Sequence, residues 1–257
     1  GKAENKFGIA WKDARAAYAR AASLPGMKVS GIDMHIGSQI TELQPFDDAI
    51  ALLVELTATL RAEGHAIAHV DVGGGLGIPY RNDNAPPPLP DAYAAVVNRH
   101  MKPLGLQVIF EPGRLITGNA GILVSKVIYL KEGDARNFLI VDAAMNDLIR
   151  PTLYDAFHDI RPVVEQPADA PRLIADVVGP VCETGDYIGH DRDLPKLASG
   201  DLVYVATAGA YGAVQASTYN TRLLVPEVLV NGDRFHVVRP RPTYDDLIGM
   251  DSIPDWL

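Results

Sequence analysis

Apolar and polar residues alternate along the first half of the chain with two different periods. Helical spacing of the apolar positions predicts three helices, over residues 13–24, 46–63 and 91–101. Short apolar runs predict three strands between them, over residues 29–36, 66–72 and 107–110. Strands that alternate with helices are typical of a parallel sheet with right-handed crossovers. We therefore expect residues 1–118 to form part of a (β/α)8 barrel, since only about three of its units fit there.

The second half consists of short runs rich in β-forming residues, separated by turn residues. Six of these runs predict strands, over residues 121–129, 137–141, 172–178, 201–206, 226–230 and 234–238. Between the last two, Asn231-Gly232 predicts a hairpin turn. Surface loops are predicted over residues 82–90 and 166–171. We expect residues 119–257 to form an antiparallel β barrel or sandwich.

Composition narrows the classes of partner. The chain has 257 residues, a formal net charge of -9 and 47% hydrophobic residues. The acidic balance argues against nucleic acid and anionic membranes, and no apolar run is long enough to cross a bilayer. The single cysteine, Cys182, excludes an internal disulfide framework and a cysteine-rich zinc site, and we expect no metal. It is compatible with a reducing compartment, and we expect a cytoplasmic protein.

Polar residues cluster where each predicted strand of the first half ends. His35 and Ser38 follow the first strand, Gly73-Gly74-Gly75 the second and Glu111-Pro112-Gly113-Arg114 the third. The carboxyl ends of barrel strands share one face, so these groups are expected to converge. Taken singly, a packed histidine or a tight glycine turn explains each one, and the glycine spacing does not fit the nucleotide-binding motifs. Together they suit a planar, phosphorylated, nitrogen-containing ring.

Five further positions in the second half could carry chemistry. The thiol of Cys182 stands beside the carboxylate of Glu183, a pair that can donate a proton and anchor a cation. A buried cysteine acting as a small apolar residue is the alternative. Arg150 and Tyr154 are one helical turn apart, and Tyr211 lies in a glycine-flanked turn. A solvated arginine and packed or loop tyrosines are the alternatives for these three.

Six segments, in this order, resemble the fold-type III pyridoxal-phosphate decarboxylases, and most closely their diaminopimelate branch. They cover residues 31–40, 71–78, 111–114, 146–151, 179–184 and 209–212. The resemblance extends over nearly the whole chain, and six motifs in the family's order are a specific signal. It implies a lyase that binds pyridoxal 5'-phosphate (PLP) and converts meso-2,6-diaminopimelate to L-lysine and CO2, the last step of lysine biosynthesis.

The resemblance also implies which residues hold the cofactor. His35 is expected to stack on the pyridine ring, and Glu111 to bind the ring nitrogen and keep it protonated. Ser38, the loop of Gly73, Gly74 and Gly75, and the backbone of residues 111–114 are expected to hold the phosphate. Tyr211 is expected to contact both cofactor and substrate.

The remaining implied roles concern the substrate. Arg114, Arg150 and Tyr154 are expected to bind its distal end, and Glu183 to pair with the distal ammonium. Cys182 is expected to protonate the carbon that has lost CO2. In this family the cysteine and glutamate reach into a neighbour's active site, which implies a homodimer.

One feature of the family has no counterpart among the eight lysines of this chain. The lysine that binds PLP covalently lies on an early barrel strand, so the chain is expected to be a C-terminal portion and inactive by itself. A related decarboxylase of arginine, ornithine or carboxynorspermidine is the alternative enzyme. An ornithine-type substrate carries only an ammonium at its distal end, which two arginines would repel. A non-catalytic regulator that keeps the fold is the alternative outside enzymes.

Overall fold

The computed structural model describes residues 6–81 and 86–257, which form two compact units. Among the described residues, the first unit comprises residues 6–79 and 86–116, and the second comprises residues 80–81 and 117–257. The loop predicted over residues 82–90 lies partly outside the described residues. No helix in the described part of the chain is long and apolar enough to cross a membrane.

The first unit is a three-stranded parallel sheet with helices. Its elements are α1 (Trp11–Ser23), β1 (Gly31–Asp33), α2 (Gln44–Ala62), β2 (His69–Asp71), α3 (Pro90–Met101), β3 (Gln107–Ile109) and the start of α4 (Gly113–Thr117). The strands lie in the order β1-β2-β3 and both pairs are parallel. The predicted helices, strands and parallel pairing are confirmed, with strands shorter than the apolar runs suggested.

The core of this unit joins one face of α2 to the sheet. Phe46, Ile50 and Leu60 are fully buried on α2, at helical spacing. They belong to one cluster with Val70, the middle residue of β2. Burying them stabilises the unit by about 1.5–3 kcal/mol per large side chain.

The second unit is built mainly from strands. Its elements are β4 (Leu123–Lys131), β5 (Asn137–Val141), α5 (Arg150–Tyr154), β6 (Ile160–Pro162), β7 (Arg172–Val178), β8 (Tyr187–Pro195), β9 (Leu202–Val205), β10 (Glu227–Asn231), β11 (Arg234–Arg239) and α6 (Tyr244–Ile248). Six strands form one sheet in the order β6-β9-β4-β5-β7-β8, and β6 approaches β8, so the sheet nearly closes into a barrel.

The prediction of a purely antiparallel sheet is wrong at one pair of strands. β5 and β7 are parallel, with Phe138 opposite Asp176, so the sheet is mixed. The physical reason is the long connection between them, which carries α5 and β6 and is long enough for a crossover. Two strands were also missed. β6 has only three residues, and β8 contains the charged run 190–193, which hides its alternation.

The predicted hairpin is confirmed. β10 and β11 are antiparallel, Asn231 pairs with Arg234, and Gly232 has a φ of 62°. Most of the side chains in the hairpin are exposed.

Candidate active site

The strand ends of the first unit are brought together by backbone hydrogen bonds. The Glu111 N–H donates to the Gly73 carbonyl at 2.9 Å, which ties the segment after β3 to the loop after β2. The Gly74 N–H lies 3.5 Å from Nδ1 of His35, an exposed residue in the segment after β1. Parallel pairing therefore places His35, the glycine loop and Glu111 side by side, as the sequence predicted.

Arg114 and Ser38 meet at the same end of the sheet. Nη2 of Arg114 donates a hydrogen bond to Oγ of Ser38 at 3.0 Å. The two residues are 76 positions apart, so the contact depends on the parallel pairing rather than on local sequence. A guanidinium and a hydroxyl held together in this way can bind an anion.

The three glycines are required by packing. A Cβ added to Gly73 would overlap the carbonyl oxygen of Met34, one on Gly74 that of Glu111, and one on Gly75 that of Gly37. Gly73 and Gly75 also have positive φ angles of 71° and 94°. The loop therefore presents only backbone to its surroundings. The Gly73 N–H donates to Oδ1 of Asp71 at 2.9 Å.

Two further acids stand beside Glu111 that the sequence analysis did not select. Carboxylate oxygens of Asp33, Asp71 and Glu111 all lie within 4.8 Å of one another. Asp33 and Asp71 are register partners at the ends of β1 and β2, which is why their side chains point the same way. Three carboxylates so close attract a cation, including a protonated ring nitrogen. Their shared position at strand ends was the signal that could have identified them.

In the second unit, Arg150 begins α5 and is only 7% exposed. Its Nη1 donates to the Tyr80 hydroxyl at 3.0 Å and lies 2.9 Å from Nε2 of His158. Its guanidinium carbon lies 6.0 Å from the centre of the Tyr211 ring. Arg150 is therefore a buried arginine with defined hydrogen-bond partners, and the alternative of a solvated arginine is wrong. Tyr80 and His158 were missed by the sequence analysis because nothing local marks them.

Tyr154 and Tyr211 are both available to solvent. Tyr154 ends α5 and is 60% exposed, one turn from the buried Arg150. Tyr211 is 41% exposed and has a φ of 64°, an uncommon backbone conformation for a tyrosine. The neighbouring Gly209 and Gly212 are pressed against the carbonyls of Thr117 and Ala208, so the backbone of the turn is closely packed.

The loop that carries Cys182 and Glu183 is attached to α5. Oγ1 of Thr152 donates to the Gly185 carbonyl at 2.5 Å, and the Tyr187 hydroxyl donates to the Pro151 carbonyl at 3.3 Å. Cys182 is exposed, so the alternative of a buried, apolar cysteine is wrong.

The shape of this loop is set by two carboxylates. The Glu183 carboxylate accepts hydrogen bonds from the Gly185 N–H at 3.2 Å and from the Tyr219 hydroxyl at 3.3 Å. The buried Asp186 accepts from the backbone of Met145 at 2.7 Å and of Val181 at 2.6 Å. Burial raises the pKa of the Asp186 carboxyl. Asp186 belongs to the scaffold of the loop, whereas Glu183 remains exposed and able to bind a ligand.

The chain matches known proteins along most of its length. Residues 18–209 match the family described as "Pyridoxal-dependent decarboxylase, C-terminal sheet domain". The chain is 48% identical to a diaminopimelate decarboxylase of Zymomonas mobilis, with 100% of the chain and 60% of the relative aligned. It is 50% identical to one of Pseudomonas aeruginosa, with 98% and 60% aligned.

A solved structure gives the same result for the fold. The diaminopimelate decarboxylase of Helicobacter pylori complexed with L-lysine superposes with a TM-score of 0.89 at 36% identity. The match covers 97% of this chain and 61% of that one. The chain thus spans about 60% of the length of the curated relatives it matches.

Proposed function

The chain belongs to the family of pyridoxal-dependent decarboxylases, and from that premise we propose that it acts in the PLP-dependent decarboxylation of meso-2,6-diaminopimelate to L-lysine and CO2. One observation carries the choice of substrate. The second unit supplies a buried guanidinium, Arg150, and an exposed carboxylate, Glu183. The second amino-acid end of diaminopimelate carries a carboxylate and an ammonium, so its site needs a positive and a negative side chain.

PLP fits the residues at the strand ends of the first unit. A loop of three glycines, none of which has room for a Cβ, suits a phosphate that is bound by backbone N–H groups, and the cluster around Glu111 suits a protonated ring nitrogen. When bound, PLP withdraws electrons from the carbon that loses CO2. Glu111 would hold the proton on the ring nitrogen, and His35 would stack on the ring. Ser38, the glycine loop and the backbone of residues 111–114 would hold the phosphate.

The first unit is proposed to be part of a (β/α)8 barrel, with residues 1–118 as the barrel part and 119–257 as the sheet domain. Three parallel strands alternating with helices support this proposal. So does the clustering of polar groups at the carboxyl ends of those strands, where barrel enzymes place their active sites.

Substrate recognition is assigned to charged and polar residues of the second unit. Arg150 would meet the distal carboxylate together with the Tyr154 hydroxyl, and Glu183 would meet the distal ammonium. Tyr211 would contact both cofactor and substrate. Because ornithine and arginine lack a distal carboxylate, an enzyme with this set of charges should favour diaminopimelate over them.

After CO2 leaves, the substrate carbon that carried it needs a proton, and we assign the donation of this proton to the Cys182 thiol. The thiol is exposed on a loop that is fixed by its bonds to α5, which suits transfer to a bound molecule. We further propose a homodimer in which Cys182 and Glu183 act in the partner's site. The exposure of both side chains supports this arrangement.

Activity is to be measured in a full-length protein, in which this chain is joined to the part of the relatives' length that it does not span. In that protein, Arg150→Ala should raise the KM for diaminopimelate by about tenfold or more and lower kcat much less. A charge-assisted hydrogen bond contributes about 1.5–3 kcal/mol to binding. Because Arg150 is assigned to the end of the substrate that does not react, its loss should affect binding more than the chemical step. Steady-state kinetics give both constants.

Arg161→Ala is the matched control, because Arg161 is an arginine of the same unit that pairs with Asp159 on the surface. It should leave KM and kcat within about twofold, as expected for a surface pair. An Arg150→Ala protein with an unchanged KM would remove Arg150 from the substrate site.

A further inference from the structure

His158 is a fully buried histidine next to Arg150. It is 0% exposed, and both of its ring nitrogens lie within hydrogen-bond distance of a partner. Nδ1 lies 2.9 Å from the Ala206 carbonyl oxygen, and Nε2 lies 2.9 Å from Nη1 of Arg150. The imidazole therefore bridges the backbone after β9 and the arginine at the start of α5.

The two partners fix the protonation of the ring. A carbonyl oxygen can only accept, so Nδ1 carries the hydrogen. A guanidinium can only donate, so Nε2 offers its lone pair to Arg150. His158 is thus a neutral acceptor, and a protonated ring would turn an N–H toward a positive charge.

The Tyr80 hydroxyl completes the arrangement. It accepts a hydrogen bond from the same Nη1 of Arg150 at 3.0 Å, and the Tyr80 ring packs edge-on against His158 with 5.4 Å between the ring centres. The guanidinium carbon lies 5.0 Å from the Tyr80 ring. Two neutral acceptors therefore hold one nitrogen of Arg150, and neither of them neutralises its positive charge.

We infer that His158 is a positioning residue for substrate binding: its neutral imidazole, with the Tyr80 hydroxyl as second acceptor, directs the Arg150 guanidinium so that its charge meets the carboxylate at the distal end of the substrate. This inference rests on the proposed function, in which Arg150 binds that carboxylate. A carboxylate in the place of His158 would satisfy the buried arginine but would also neutralise it. A neutral acceptor orients the guanidinium and keeps its charge for the ligand.

A double-mutant cycle on the full-length protein tests the inference. The inhibition constants of L-lysine and 1,5-diaminopentane, measured against diaminopimelate, separate the carboxylate from the rest of the ligand. L-Lysine keeps the distal amino-acid end, whereas 1,5-diaminopentane lacks its carboxylate. His158→Phe should weaken the binding of L-lysine by about tenfold and that of 1,5-diaminopentane by less than about twofold. When Arg150→Ala is already present, His158→Phe should cause almost no further loss of affinity for L-lysine.

Two variants keep the test decisive if His158→Phe does not fold. His158→Gln retains a donor and an acceptor and should bind L-lysine closer to the wild-type value. Tyr80→Phe changes a partly exposed residue. It should weaken the binding of L-lysine by about threefold, and only while Arg150 is present. His236→Phe, on the exposed strand β11, is the matched control and should change neither constant.

The outcomes separate two failures. If Arg150→Ala weakens L-lysine but neither His158→Phe nor Tyr80→Phe does, the positioning role is wrong. The same holds if the losses persist without Arg150, or extend equally to 1,5-diaminopentane. If Arg150→Ala itself leaves L-lysine binding unchanged, the proposed function of Arg150 is wrong.

Discussion

Replacing Glu111 with glutamine should lower the kcat of the full-length protein by at least about 100-fold, the scale of losing one charged group that stabilises a transition state. Glutamine has the same length but no charge, so it cannot keep the ring nitrogen of PLP protonated. Cofactor binding should fall much less, because the glycine loop, Ser38 and Arg114 remain. Initial rates at saturating PLP and diaminopimelate, with cofactor absorbance recorded on the same samples, measure both effects.

Asp33→Asn is the matched control for that variant. It also neutralises one carboxylate of the cluster, within 4.8 Å of the others, but at a position to which we assign no contact with the ring nitrogen. It should lower kcat by less than about threefold. Equal losses from both variants would mean that the summed charge of the cluster matters, and that Glu111 has no special contact.

Replacing Cys182 with alanine should lower kcat by about 100-fold or more and leave the KM for diaminopimelate nearly unchanged. A positioned proton donor typically contributes about 10²–10⁴-fold in the chemical step and little to binding. Because Cys182 is exposed on a loop held by α5, its loss should not disturb the fold. Steady-state kinetics and thermal unfolding of the same protein test both statements. A Cys182→Ala protein with full turnover would mean that another group supplies the proton.

Mixing the two inactive proteins tests the shared site. If Cys182 acts in the partner's site, a dimer of one Glu111→Gln chain and one Cys182→Ala chain has one intact site. Random exchange of subunits should then restore activity to about a quarter of the wild-type value. No restoration, with mixed dimers demonstrated, would place Cys182 and Glu111 in the site of the same chain.

The sequence predicted the part of the fold that depends on local periodicity. The helices of the first unit and its parallel strands follow from spacing, because each element must bury one face. The segments at the ends of β1, β2 and β3 could be selected for the same reason, since parallel strands end on one side. Asp33 and Asp71 also lie at those ends, but an acid next to an apolar run does not stand out from the strand in the sequence alone.

Features that depend on distant contacts could not be predicted. The parallel pairing of β5 and β7 is decided by how the connection between them packs. The contacts of Arg150 come from His158, eight residues away, and from Tyr80, 70 residues away. Neither residue lies in a recognisable motif. Their importance follows only from the burial of a guanidinium, which requires acceptors wherever the fold supplies them.

The product formed from meso-diaminopimelate by the full-length protein with added PLP is the most direct test of the proposed function. L-Lysine and CO2 are expected in equal amounts, dependent on PLP, with no comparable product from arginine, ornithine or carboxynorspermidine. Bound cofactor without lysine formation, together with turnover of one of those other substrates, would contradict the assignment of Arg150 and Glu183 to diaminopimelate.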